Sequence, residues 1–139
     1  MHSNREIEYR TLDPSVPAAA IVELYCDADW WEEGYTPDFI APMLAGSFAV
    51  IGAYDGDKLV GMGRAIADGA SDAYIQDIVV LSSYRKRGIG AAIVRELIAR
   101  LKAAGVDWIG LVPSPGAAHF YQSLGFEELK DHTPMRLTR

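Results

Sequence analysis

Residues 48–54, 59–67 and 73–81 form three apolar, strand-like runs, parted only by Asp55-Gly56-Asp57-Lys58 and by Asp68-Gly69-Ala70-Ser71. Turn-forming residues at that spacing make each run an antiparallel neighbour of the next. The segment 88–104 follows, with Ile89, Ile93, Leu97 and Leu101 recurring every fourth residue, and Gly105 stands just past it. That period predicts one long amphipathic helix with a glycine stop. Residues 108–112 then read as a short buried strand. A helix that returns to the same sheet makes its two flanking strands parallel, with a right-handed crossover. The meander and the crossover together demand a mixed sheet.

The remaining elements fit around that frame. Residues 7–12 read as a first strand ended by Asp13-Pro14, and residues 17–28 as a helix. Thr36-Pro37-Asp38 sets a hydroxyl, a proline and a carboxylate at the start of a helix running to Leu44. Pro113-Ser114-Pro115-Gly116 breaks the chain before a short helix at 117–124, which Gly125 ends, and residues 126–129 and 135–137 read as two last strands. The expected order is β-α-α-β-β-β-α-β-α-β-β. This is an α+β fold (three-layer α/β): a mixed, mostly antiparallel sheet of about six or seven strands flanked by about four helices. At 139 residues, 1–139 reads as one domain.

Charge and cysteine content exclude several classes. Thirteen Lys and Arg against nineteen Asp and Glu leave a formal charge of −6, the wrong sign for a nucleic-acid binder and compatible with a cationic substrate. Cys26, the one cysteine, forms no internal disulfide, and its apolar neighbours Ile21, Val22, Leu24 and Tyr25 predict a buried thiol in a reducing compartment. His2, His119 and His132 have no metal-ligand spacing, so no metal is expected. The stretch MHSNREIEYR is no signal peptide, and no apolar run approaches the ~20 residues that cross a bilayer. A cytoplasmic protein without membrane contact is the expectation.

The chemistry concentrates at residues 74–90, where a strand ends and Arg85-Lys86-Arg87-Gly88-Ile89-Gly90 opens the long helix. Glycines let the backbone turn and approach a ligand closely. The first-turn N–H groups lack internal partners, and the helix dipole adds positive charge to that of the three basic side chains. A pyrophosphate suits such a site. The GxxxxGK[ST] phosphate loop is absent, and in the dinucleotide pattern Gly88-Ile89-Gly90-Ala91-Ala92-Ile93 the third glycine is replaced by Ile93.

The RxxGxG formed by Arg85, Gly88 and Gly90, after a three-strand meander, resembles the acetyl-CoA loop of the GNAT superfamily of N-acetyltransferases. Ala118-His119-Phe120-Tyr121-Gln122-Ser123-Leu124-Gly125-Phe126 resembles that superfamily's second signature, FYxxLGF. The resemblance implies acetyl-CoA as co-substrate. It implies that backbone groups of Ile78 and Val80 pair with the pantetheine arm between splayed strands. It further implies that Arg85, Lys86, Arg87, Gly88, Gly90 and Ala91 wrap the pyrophosphate, and that Tyr121 protonates the departing thiolate. A phenol with pKa near 10 is protonated at neutral pH and suits that role. A homodimer through the last strands is also implied.

Strand alternation puts Tyr74, Gln76, Ile78 and Val80 on one face and Asp77 on the other. Gln76 stands where some family members carry a basic Glu or His, and glutamine accepts no proton. Asp77 reaches the site only if a bulge rotates the strand. Glu33 acting through water, or no dedicated base, are the other routes, while His119 reads as structural or exposed. The loop 30–35, Trp30-Trp31-Glu32-Glu33-Gly34-Tyr35, offers aromatic faces and carboxylates to an amine. The expected acceptor residues are Trp31, Glu33, Tyr35, Tyr74 and Gln76, and the expected acceptor is a small-molecule primary amine. Residues 75–80 also resemble the corresponding strand of glucosamine-6-phosphate N-acetyltransferases, with Arg64 as a candidate phosphate contact. Two other readings stay open: an acyl-CoA sensor without turnover, and a protein lysine or N-terminal acetyltransferase.

Overall fold

The structure is a computed structural model and describes residues 6–139; His2 lies outside the described residues. Strand β1 (Glu8–Thr11) leads to helix α1 (Ala18–Asp27), a 3₁₀ turn (Pro37–Phe39) and helix α2 (Ile40–Gly46). Strands β2 (Ala49–Asp55), β3 (Lys58–Ala67) and β4 (Asp72–Val80) form the meander. A second 3₁₀ turn (Ser82–Tyr84) precedes helix α3 (Ile89–Ala103), and strand β5 (Trp108–Gly110) and helix α4 (Ala118–Gln122) follow.

The sheet runs β1-β2-β3-β4-β5 in sequence order, antiparallel throughout except for the parallel β4–β5 pair across the α3 crossover. Helix α3 packs on one face against β2, β3 and β4, and α1 packs on the other against β3 and β4 with α2 beside it. Ile93, Leu97 and Leu101 of α3 and Ile21, Leu24 and Ile40 opposite are fully buried, so each helix contributes its apolar stripe to a core layer. Among the described residues no helix is long and apolar enough to cross a membrane.

Three expectations are corrected. Among the described residues the sheet has five strands, not six or seven. Residues 126–129 and 135–137 pair with no strand among the described residues; Leu129, Met135 and Leu137 lie exposed, at 53%, 91% and 92%. Apolar alternation makes a strand only where a ladder partner exists, and β5, three residues long at the sheet edge, offers little to pair with. Cys26 is exposed, because the buried stripe of α1 is Ile21, Leu24 and Tyr25, and the next residue turns about 100° outward.

Candidate active site

The alternation expected along β4 fails at Asp77. Met62 pairs with Val79 and Arg64 with Gln76, so β4 spends one more residue than β3 over the same span. Asp77 takes up the extra step in the left-handed region, at φ 56°. A bulge of this kind puts two consecutive side chains on one face and reverses the register beyond it. Gln76 Oε1 accepts from Arg64 at 3.3 Å and Asp77 Oδ2 accepts from Arg64 Nε at 2.7 Å, both on the α1 side. Beyond the bulge Ile78 and Val80 turn to the α3 side, where they crowd the space above Gly63 and Gly61 beside Ile93. Tyr74 and Gln76 therefore share a face with Asp77, and Ile78 and Val80 do not.

Asp77 is held from two elements. The Tyr25 hydroxyl on α1 donates to Asp77 Oδ2 at 3.0 Å, and Arg64 on β3 closes the ion pair, with its side chain 15% exposed. Burial pushes the Tyr25 phenol well above its ordinary value, and the Asp77 carboxylate beside it adds to the shift. Tyr25 is itself fixed by the way α1 ends. Asp29 adopts φ 61°, its N–H donates to the Cys26 carbonyl and the Trp30 N–H donates to the Tyr25 carbonyl. This is a Schellman cap with aspartate in place of glycine, and its apolar contact is Tyr25 against Trp30, ring centroids 5.8 Å apart.

Helix α4 repeats the device. Gly125, at φ 100°, donates to Gln122, Phe126 donates to the Tyr121 carbonyl, and the Tyr121 and Phe126 rings meet edge to face at 5.9 Å. That cap orients Tyr121 into the same cleft, half-buried, where loss of water raises its pKa. The phenol stays protonated across the neutral range.

The cleft has two chambers. The first, about 360 Å³, is lined by Trp30, Tyr74, Gln76, Asp77, Ile78, Ser114 and Tyr121, among others. The second, about 330 Å³, is lined by Tyr25, Trp30, Tyr35, Phe39, Met43, Arg64 and Asp77. Trp30 and Asp77 belong to both. Of the expected acceptor residues, Tyr74 and Gln76 line the first chamber and Tyr35 the second, whereas Trp31 and Glu33 line neither. Trp31 stacks on Phe39 at 5.8 Å and meets Tyr35 edge-on at 5.5 Å, so it braces the wall from behind. Sequence reasoning placed Arg64 as a phosphate contact; it is Asp77's partner. Tyr25, Phe39 and Met43 were missed because helical spacing marks them only as core.

The first chamber opens beside a fork. Strands β4 and β5 pair only from Asp72–Trp108 to Tyr74–Gly110, and β4 continues without β5 to Val80. The Leu81 N–H donates to Val60 on β3, so alternation turns the groups of Val80 toward the fork, where Arg85 Nε reaches its carbonyl at 3.1 Å. Lys86 and Gly88 adopt φ 63° and 78° and fold the loop back onto the start of α3. The first-turn N–H groups of Ile89, Gly90 and Ala91 have no helical partner, while Ala92 is the first to close onto Gly88. A β-carbon on Gly90 would stand 3.5 Å from Phe120 and 3.8 Å from Val80, in the gap between β4 and α4.

Contacts to α1 and β2 tether this loop, among them an Arg85–Asp27 ion pair at 3.7 Å. Asp27, at the end of α1, accepts from the Ser82 N–H at 2.8 Å and its hydroxyl at 2.9 Å, bonds that hold its carboxyl below the usual range. The Tyr84 hydroxyl donates to Asp55 at 2.6 Å. Arg87 lies over the Tyr84 ring at 5.1 Å. Backbone N–H groups, positive charge and a glycine-lined gap fit a pyrophosphate followed by an extended arm. Among the described residues no cluster of metal-ligating side chains exists.

Residues 18–126 match the acetyltransferase (GNAT) family. A chloroplastic GCN5-related N-acetyltransferase of Arabidopsis thaliana is 40% identical over 70 residues, half of this chain and 27% of that protein. A Glycine max protein named as a histone acetyltransferase is 37% identical over 70 residues, half of this chain and 30% of its own. The chain thus spans well under half the length of these relatives. A probable acetyltransferase from meticillin-resistant Staphylococcus aureus, solved as a protein of unknown function, superposes with a TM-score of 0.84 at 25% identity, over 96% of this chain and 100% of that one.

Proposed function

The chain belongs to the GNAT family of acetyltransferases, and from that premise we propose that it transfers the acetyl group of acetyl-CoA directly to a primary amine of a small molecule, working as one domain. The observation that carries the reading is the meeting of Asp77 and Tyr121 on the walls of one chamber at the mouth of the β4–β5 fork.

Acetyl-CoA supplies the activated thioester. The first turn of α3 and the side chains of Arg85, Lys86 and Arg87 bind its pyrophosphate, and the fork-facing groups of Val80 bind its extended arm. Arg85 leaves the Val80 carbonyl when that arm arrives. The acceptor nitrogen attacks the thioester carbonyl, so a C–N bond forms as the C–S bond breaks. Tyr121 gives its proton to the departing sulfur. Asp77 Oδ2 is taken by Arg64 and Tyr25, which leaves Oδ1 to receive the amine and the proton it sheds, directly or through water. Gln76 beside it orients the amine without accepting a proton. Glu33, outside both chambers, has no part in this step.

A protein acceptor is the second reading, favoured by the name of the soybean relative. The test is thiol release from acetyl-CoA against a panel of arylalkylamines, polyamines, amino sugars and lysine peptides, with calorimetric binding of acetyl-CoA beside it. Turnover with a small amine is the expected result. Tight binding with no turnover on any amine would make the chain an acyl-CoA sensor, and turnover on peptides alone would move the acceptor to protein.

A further inference from the structure

We propose that the second chamber holds the uncharged aryl end of the acceptor, so that the preferred substrate is an arylalkyl monoamine; this rests on the acetyltransferase reading above. The two chambers share Trp30 and Asp77. A molecule whose amine sits at Asp77 in the first chamber therefore has the second as its continuation, with Trp30 as the common wall.

The second chamber's walls are Trp30, Tyr35, Phe39 and Met43. They are set before any ligand arrives. Tyr35 and Phe39 meet at 6.1 Å, with Trp31 packed on both from behind. Trp30 is held by the α1 cap. Rings fixed by other rings lose little entropy when a further ring enters, and such contacts favour an aromatic guest. At about 330 Å³ the chamber is an open hollow that would take one ring, with Tyr35 and Phe39 38% and 40% exposed along it.

Its charges decide against the alternatives. Among the described residues the only ionic groups lining it are Arg64 and Asp77, and they neutralise each other at 2.7 Å. The other Arg64 nitrogens reach Ser47 Oγ at 3.4 Å and Gln76 Oε1 at 3.3 Å. The second ammonium of a polyamine finds no unpaired carboxylate among the lining residues. A sugar phosphate finds no unpaired cation and meets apolar walls, where an uncompensated charge is costly. An uncharged ring meets neither penalty.

The test compares phenethylamine with ethylamine, the same head without the ring, and with spermidine, glucosamine 6-phosphate and a lysine peptide. Turnover is measured by thiol release, and binding by calorimetry on the protein saturated with CoA. Phenethylamine is expected to exceed ethylamine in kcat/KM by about tenfold or more. Phe39→Leu, which keeps bulk without a ring, is expected to raise KM for phenethylamine about 3- to 10-fold, well beyond any change it makes for ethylamine. Parity of phenethylamine with ethylamine, a preference for spermidine, the phosphosugar or the peptide, or an equal effect of Phe39→Leu on both amines overturns the proposal. If no amine turns over, ring-dependent binding to the CoA-saturated protein still supports the subsite, and its absence removes it. Failure to bind acetyl-CoA at all sinks the acetyltransferase reading instead.

Discussion

Arg64 Nε donates to Asp77 Oδ2 at 2.7 Å across a bulged pair of strands, and that bond fixes a carboxylate in a cleft it would otherwise face away from. Without the extra residue in β4, Asp77 would point into the α3 layer among Ile93 and Leu97, where an unpaired carboxylate is costly. The bulge, the left-handed Asp77 backbone and the Tyr25 bond are parts of one arrangement. Four outcomes test it.

Asp77→Asn keeps the shape and the acceptor for Tyr25 but removes the charge. It is expected to lower kcat/KM by about 10²-fold, chiefly through kcat, with acetyl-CoA affinity within about twofold. The lost charge-assisted bond to Arg64 is expected to cost about 1–2 kcal/mol in urea unfolding. A stability loss with unchanged kcat would make Asp77 a scaffold residue only.

Tyr121→Phe removes the proposed proton donor while keeping the edge-to-face contact with Phe126. Turnover is expected to fall about 10²-fold or more, with little change in acetyl-CoA Kd by calorimetry. An unchanged kcat would take Tyr121 out of the mechanism.

The fold prefers the protonated phenols of Tyr25 and Tyr121, since burial raises both from the ordinary value of 10.0. Above that pH the unfolded chain releases protons that the folded one retains. Their contribution to stability is intact below about pH 10 and is lost as pH rises through the folded values. Thermal melts from pH 8 to 11.5 are expected to show a fall that begins near pH 10 and is shallower in Tyr25→Phe. An equal fall in wild type and variant would assign the alkaline limb to other groups.

Gly88 and Gly90 separate conformation from space. A β-carbon at Gly88 meets nothing within 4 Å, but φ is 78°, so Gly88→Ala is expected to cost about 1–2 kcal/mol in stability. At Gly90 a β-carbon makes ordinary contacts with Phe120 and Val80 in the gap between β4 and α4. Gly90→Val is expected to fold and to lose acetyl-CoA affinity by about tenfold or more. Wild-type affinity in Gly90→Val would move the pyrophosphate site elsewhere.

Most elements as far as α4 were legible in the sequence because they are local, whereas the two strands expected after it do not form. Two tight turns, a four-residue apolar period and glycines after helices fix the meander, α3 and its stop within a few residues. The basic, glycine-bearing loop is contiguous, so its residues could be named before their geometry was known. The acceptor side was not contiguous. Asp77's face depends on how many residues β4 spends against β3, a property of the pair and not of either strand. Trp30 rather than Trp31 reaches the cleft because α1 ends in a left-handed aspartate, and no glycine announces that cap. Cys26 points outward because one helical step separates it from the buried stripe. Residues 126–129 and 135–137 carry a strand's alternation, yet hydrogen bonds need a partner that only the assembled sheet can provide. The sequence by itself determined most of the elements and the basic glycine-bearing loop; pairing, capping and register, which exist only between segments, decided which side chains share the cleft.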